Sequence, residues 1–359
     1  MNLSKVFLMA TVLLSASAQA APTFNWKAYY EGYYMYNLNT PQTTNGNDEN
    51  SGRLNDSIHN SFTTNLVELS VNGQATQEVG YTVEAGYGDL NDSVYGDDSN
   101  RDILNQAYLT LNLPALNNVT IEVGRFYSHM GLERLKASQN WNFSHSLTYK
   151  YALPQWHEGA RARLINKKDF SLTGYIYNGW NSEDDENDSK TLGLKAQFTP
   201  SEKLQLTYNL ITGAERGTDE SDYRTVHNLI GEYAAASKTA LSAEFTLGTE
   251  KRAELSDNSN RSSDWMALAL SAKHFMSEKA FIAGRLEHFD DENASRFQSG
   301  VADVKITSLT ATYGYQHSKE LMTKVELRHD DADENVIRED ANGTDDSQTS
   351  FLLGLMYTL

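Results

Sequence analysis

Ser350-Phe351-Leu352-Leu353-Gly354-Leu355-Met356-Tyr357-Thr358-Leu359 ends the chain. An extended strand turns successive side chains to opposite faces. Phe351, Leu353, Leu355, Tyr357 and Leu359 then share one face, and Leu352, Gly354, Met356 and Thr358 the other. An apolar strand that runs to the last residue, with an aromatic two places before it, is how an outer-membrane β-barrel closes against its first strand. A soluble sheet could hold such a strand too, so the ending matters only if the pattern recurs.

It recurs along the whole chain. Trp26, Ala28, Tyr30, Tyr34 and Tyr36 form one row, with Lys27, Tyr29, Glu31, Tyr33 and Met35 on the opposite face. Val67/Leu69/Val71, Val79/Tyr81/Val83/Ala85/Tyr87, Ala107/Leu109/Leu111/Leu113 and Val119/Ile121/Val123 follow. After a long gap come Ala160/Ala162/Leu164, Leu172/Gly174/Ile176, Leu192/Leu194/Ala196/Phe198 and Leu204/Leu206/Tyr208/Leu210. Leu229/Gly231/Tyr233, Leu241/Ala243/Phe245/Leu247, Met266/Leu268/Leu270 and Ile282/Gly284/Leu286 continue the series. Leu309/Ala311/Tyr313/Tyr315 and Leu321/Thr323/Val325/Leu327 lead to the final strand. The pattern predicts about sixteen strands of roughly ten residues, the length that crosses a bilayer at a barrel's tilt.

Connection lengths alternate as well. Short ones follow even-numbered strands, as at Asn72 to Glu78, Pro114 to Asn118 and Asn166 to Asp169; long polar ones follow odd-numbered strands. Short periplasmic turns and longer outer loops are the asymmetry of a transmembrane barrel, and an even strand count puts both termini in the periplasm. Tyr and Trp at strand ends suit the two membrane interfaces. A soluble sandwich or propeller explains neither feature. The fold class expected is all-β: a transmembrane antiparallel up-and-down β-barrel of about sixteen strands, with an inward-folded third outer loop.

Residues 1–20 read as a signal peptide. Lys5 is the only charge before residue 21, Val6 to Leu14 is apolar, and Ala18-Gln19-Ala20 is a small-x-small cleavage site. No plug-like segment precedes the first strand, which argues against a receptor coupled to an energy-transducing protein. Residues 21–359, about 339 in all, contain no Cys, which excludes disulfides and thiolate metal sites. No stretch resembles a twenty-residue apolar helix. The formal charge of -18 suits a barrel, because only alternate strand residues meet lipid.

The outer loops are acidic. Asp97-Asp98, Glu183 to Asp188, Asp290-Asp291-Glu292 and a crowd from Asp330 to Asp346 carry most of the charge. These acids predict a weak cation preference at the mouth, fading as salt shortens the screening length. They could also bridge through divalent cations to anionic lipopolysaccharide, although a solvated rim without a defined site is simpler. No cofactor, resident metal or nucleic-acid partner is called for. Outer-membrane lipids, lipopolysaccharide and small hydrophilic solutes are the expected partners.

The third outer loop, from about His129 to Gln155, is the longest and the least acidic. It carries Arg134, Lys136, His145 and Lys150, with Trp141, Phe143, Tyr149 and Tyr151 interleaved and Trp156 at its end. Water on the rim would face such aromatics, so the loop is expected to pack inward. A sixteen-strand barrel leaves room for an aqueous channel, and a loop inside it would set the bore. By parity Arg161 and Arg163 point into the lumen, as do Glu68, Glu84 and Glu122. Acidic and basic clusters on different strands would set a transverse field that tunes selectivity. The expected constriction and selectivity residues are therefore Arg134, Lys136, His145, Lys150, Arg161, Arg163, Glu68, Glu84 and Glu122.

Around this loop the chain meets a family pattern. Asn60-Ser61-Phe62 opens the second strand and Gly124-Arg125-Phe126 ends the fifth. Asn140-Trp141-Asn142-Phe143-Ser144-His145-Ser146-Leu147 is followed by Tyr151-Ala152-Leu153-Pro154 and Gly159-Ala160-Arg161. Asn178-Gly179-Trp180-Asn181 and Thr199-Pro200-Ser201-Glu202-Lys203-Leu204 complete the series. In this order they resemble the OmpL-like putative β-barrel porin family of Gram-negative outer membranes, over nearly the whole mature chain. His145, Glu158 and Leu359 stand where members often have Arg, Thr and Phe. The resemblance implies a channel for passive diffusion of small hydrophilic solutes or ions, and a trimer as the common porin assembly. Two other functions compete. An outer-membrane hydrolase would need a Ser-His-Asn or Ser-His-Asp group, for which His129, Ser144, His145 and Ser146 are available, but no glycine elbow surrounds a Ser. A structural or adhesion barrel would share the strands and have a plugged lumen.

Overall fold

Period-two alternation turns into a sheet that closes on itself. The computed structural model describes residues 22–359, except 42–48, 97–101, 117–118, 186, 216–219, 221, 255–259, 298–300, 302 and 340–342. The expected signal peptide, residues 1–20, and the acidic pair Asp97-Asp98 lie outside the described residues. The strands begin with β1 (Asn25–Asn37), β2 (Ser61–Gln74), β3 (Val79–Tyr87), β4 (Leu104–Leu113) and β5 (Val119–Tyr127). Then come β6 (Trp156–Asn166), β7 (Phe170–Tyr177), β8 (Thr191–Ser201), β9 (Leu204–Ala214) and β10 (Tyr223–Ala236). β11 (Thr239–Glu254), β12 (Asn260–Phe275), β13 (Ala280–Asp291), β14 (Val304–Gln316) and β15 (Leu321–Ala332) continue the wall. The last outer loop holds a two-residue pair, β16 (Ile337–Arg338) and β17 (Thr344–Asp345), before β18 (Ser347–Thr358).

Each barrel strand pairs antiparallel with its sequence neighbour, and β18 returns to β1. Among the described residues sixteen strands form the closed wall. Closure leaves no edge, so every strand's backbone groups have partners inside a medium that offers none. Tyr30 faces Tyr357, Gly32 faces Leu355 and Tyr36 faces Phe351 across the seam. Ala28 and Leu359 exchange backbone hydrogen bonds at its lower end. The short turns lie on this side, and the long connections lie at the opposite rim. A seven-residue helix, α1 (Asp89–Tyr95), occupies the second long connection.

The two faces of the wall differ as alternation requires. Leu69, Leu109, Leu229, Leu286, Leu309, Leu353 and Leu355 are exposed on the outer face. Between them, Glu31, Glu68, Asn209, Asn228, Glu244, Arg285, Glu287, Lys324, Glu326 and Arg328 are buried on the inner one. This is an apolar shell around a polar interior, the reverse of a soluble protein.

Leu355 sits on that outer band, opposite Gly32 on β1 and Thr323 on β15. An arginine there meets lipid, at a cost of about 2–4 kcal/mol near the midplane. Leu355→Arg is expected to lower the yield of folded barrel, read as the fraction that keeps heat-modifiable gel migration. Undiminished yield would place this face away from lipid.

Candidate functional site

The third outer loop, residues 128–155, joins β5 to β6 and is held by side chains of the inner wall. Lys324 of β15 donates to three loop carbonyls, Ala137 at 2.6 Å, Asn140 at 2.7 Å and Asn142 at 3.0 Å. Two residues on, Glu326 accepts from the backbone N–H groups of Phe143 (2.7 Å) and Ser144 (3.1 Å). Arg328, the next inward residue, donates to His145 O at 2.7 Å. On β13, Arg285 donates to Ser144 O at 2.8 Å and pairs with Glu133 at 2.6 Å, while Glu287 accepts from Leu147 N at 2.7 Å. Glu31 of β1 accepts from Ala137 N at 2.8 Å, and Glu244 of β11 from Leu132 N at 3.2 Å.

A loop without regular secondary structure leaves backbone groups to satisfy, and charged partners give the stronger hydrogen bonds. Apolar contacts complete the seat. Phe143 packs edge-on against Tyr33 at 5.9 Å and lies flat over Gly354 of β18. A Cβ on residue 354 would fall 2.3 Å from the Phe143 ring, so only glycine leaves room for it. Burial raises the Glu133 carboxyl, but Arg285 and then His145 outweigh burial and hold it below the usual carboxylate range.

The first outer loop contributes a second layer that the sequence did not signal. Arg53, 3% exposed, pairs with Asp56 at 3.0 Å and with Asp330 of β15 at 2.8 Å. Asn55 grips the third loop at both ends of its amide: it donates to Phe143 O at 2.7 Å and accepts from His145 N at 2.9 Å. Lys150 donates to Arg53 O at 2.6 Å, and burial pushes its ammonium down to about 8.

These loops cover one side of the lumen. Inner residues of β13 to β15, among them Arg285, Ser308, Thr310, Lys324 and Arg328, are fully buried beneath them. Inner residues of β3 to β8 stay accessible: Glu84, Thr110, Glu122, Arg161, Thr173 and Lys195 are half-buried, and Arg163 is exposed. Glu122 and Arg161 form an ion pair across β5 and β6, and Arg161 also lies over the Phe126 ring at 4.5 Å. Lys136 reaches from the loop to Glu68, and Glu84 lies at 3.8 Å from the same ammonium.

The nine residues expected from sequence divide accordingly. Glu68, Glu84 and Lys136 come together, and so do Glu122 and Arg161. Arg163 and Arg134 remain without a carboxylate partner among the described residues; the Arg134 guanidinium donates to Gly131 O and Glu133 O, both at 3.4 Å. His145 and Lys150 are turned away from the accessible wall. His145 Nε2 is 2.9 Å from Arg134 O and its ring stacks on Tyr149, which ties the third loop to itself, whereas Lys150 ties it to the first loop. Phe143 and Tyr149 are buried, whereas Trp141 is half-buried beside a cavity of about 110 Å³ that Glu232, Ser242 and Ser271 help to line. The hydrolase residues form no relay: His129 lies between Tyr177 Oη at 2.8 Å and Leu210 O at 3.2 Å, and Ser146 Oγ accepts from Tyr149 N. Lys324, Glu326, Arg328 and Asp330 were missed, although they alternate along β15 and parity alone turns all four inward.

Solved structures share this architecture. An anion-selective porin from Comamonas acidovorans superposes with a TM-score of 0.65 at 11% identity, over 94% of this chain and all of that one. Salmonella typhi OmpF gives 0.63 at 11% identity, covering 94% and 97%. OmpT of Vibrio cholerae in its trimer form gives 0.62 at 10% identity, covering 95% and 100%. At such identities these likenesses speak for the fold alone. Comparison with curated proteins finds no match. The family model described as "Putative beta-barrel porin-2, OmpL-like" matches residues 23–359, almost the entire barrel with its loops. The chain therefore belongs to the OmpL-like β-barrel porin-2 family, and its place is the outer membrane.

Proposed function

We propose that this protein is a diffusion pore of a Gram-negative outer membrane, and that the third loop sets its bore. One observation carries this reading: inner-wall side chains from six strands, with Asn228 of β10 and Trp265 of β12 joining those of β1, β11, β13 and β15, hold the loop backbone on one side, while the wall from β3 to β8 stays accessible. A loop pinned to one wall narrows a channel without filling it. Glu68, Glu84, Lys136, Glu122, Arg161, Arg163 and Arg134 then border the narrow passage and act on solutes by charge, with no catalytic step. A trimer is the assembly we favour, since the Vibrio cholerae OmpT barrel has been solved in a trimer form.

Liposome swelling tests the pore directly. Vesicles containing folded protein should swell in small sugars and slow steeply as solute size grows. Folded barrels that give neither swelling nor bilayer conductance would favour a structural or adhesion role with a plugged lumen.

A further inference from the structure

We infer that the passage beside the third loop selects small anions, although the chain carries a formal charge of -18. This rests on the pore reading and adds the class of solute. A net charge counts every acid equally, whereas a passing ion feels those within about one screening length, roughly 8–10 Å in ordinary salt. What counts is which luminal charges are already compensated.

On the covered wall the charges are buried in ion pairs and loop contacts, away from a passing ion. Arg285 lies between Glu287 and Glu133, Arg328 pairs with Asp330, and Arg53 bridges Asp56 and Asp330. Glu326 and Glu31 are taken up by loop N–H groups. On the accessible wall, Arg161 is matched by Glu122, and Lys136 serves both Glu68 and Glu84, which leaves one acid in excess there.

The remainder is basic. Arg163 faces Thr173, and Thr173 faces Lys195, so the two cations stand two strand spacings apart, about 10 Å. Neither has a carboxylate within ion-pair distance among the described residues. Arg134 and Arg161 lie within electrostatic reach of Lys195. Lower in the barrel, Lys273 rests over the rings of Phe275 and Phe281, at 4.7 and 4.1 Å, again without an acid. Glu232 is the acid opposing them, held by Gln205 at 2.7 Å.

Low-dielectric walls focus the field of such charges into the passage. One unit charge at roughly 6 Å through water changes local ion concentration about threefold. The acidic loops stand at the rim in bulk water, where their field fades within a screening length. Their sign therefore governs the mouth and not the narrows, which reverses the cation preference that composition predicts.

Reversal potentials across a planar bilayer in a KCl gradient, at low salt, decide the matter. The wild type should pass chloride over potassium by about threefold. Arg163→Ala with Lys195→Ala should bring that ratio to one or below in a barrel that still folds, since neither side chain has an ion-pair partner to abandon among the described residues. Glu334→Gln with Glu339→Gln, exposed acids of the last outer loop, should leave the ratio unchanged. Cation preference in the wild type, or an unaltered ratio in the double alanine variant, would overturn the inference while leaving the pore intact. A folded protein that conducts nothing would instead overturn the pore reading.

Discussion

Deleting residues 138–146 is expected to raise single-channel conductance about two- to threefold and to admit larger sugars, because a wider bore passes more ions. The deleted stretch holds the carbonyls of Asn140 and Asn142, the N–H groups of Phe143 and Ser144, and the Phe143 ring. With it gone, the inner wall from β13 to β15 faces water. The barrel should still close, since none of the strand ladders uses these residues. Lys324, Glu326, Arg285 and Arg328 would become hydrated and lie close enough to compensate one another. Heat-modifiable migration checks folding, and planar-bilayer recordings check conductance. Unchanged conductance in a folded deletion variant would show that the loop does not set the bore.

Lys324→Met tests the anchor without removing the loop. The substitution keeps length and removes the donor that serves three carbonyls. Buried acceptors left without donors cost about 1–3 kcal/mol each, so losing the donor to three of them should weaken the loop's seat by roughly 3–9 kcal/mol. The barrel wall should hold, and the loop should come loose within it. Frequent closures and a broad spread of conductance levels are expected, with faster proteolysis inside residues 131–150. A quiet channel with wild-type conductance would mean that Glu326, Arg285 and the aromatic packing hold the loop by themselves.

Much of the architecture was legible because a strand has period two. Phe351, Leu353, Leu355 and Tyr357 turn outward for the same reason that Glu68, Glu84, Glu122, Arg161 and Arg163 turn inward. Lys324, Glu326, Arg328 and Asp330 obey the same parity along β15. Loops carry no period, so His145 and Lys150 could not be oriented from sequence. Each found its partner in another loop or in its own backbone. The inward fold of the first loop was equally hidden, since Arg53 is specified by Asp330 and Ser350, nearly three hundred residues away along the chain. The anion selectivity we infer runs against composition, because charge that is paired and charge that is free count alike in a sum.

The last strand does two jobs at once. Gly354 makes room for Phe143 and Ser350 holds Arg53, and β18 is also the strand that seals the seam with β1. Neither inward loop has a complete berth until that seal forms. A barrel open at that seam would leave both loops unseated, so closure of the wall and seating of the loops depend on the same strand.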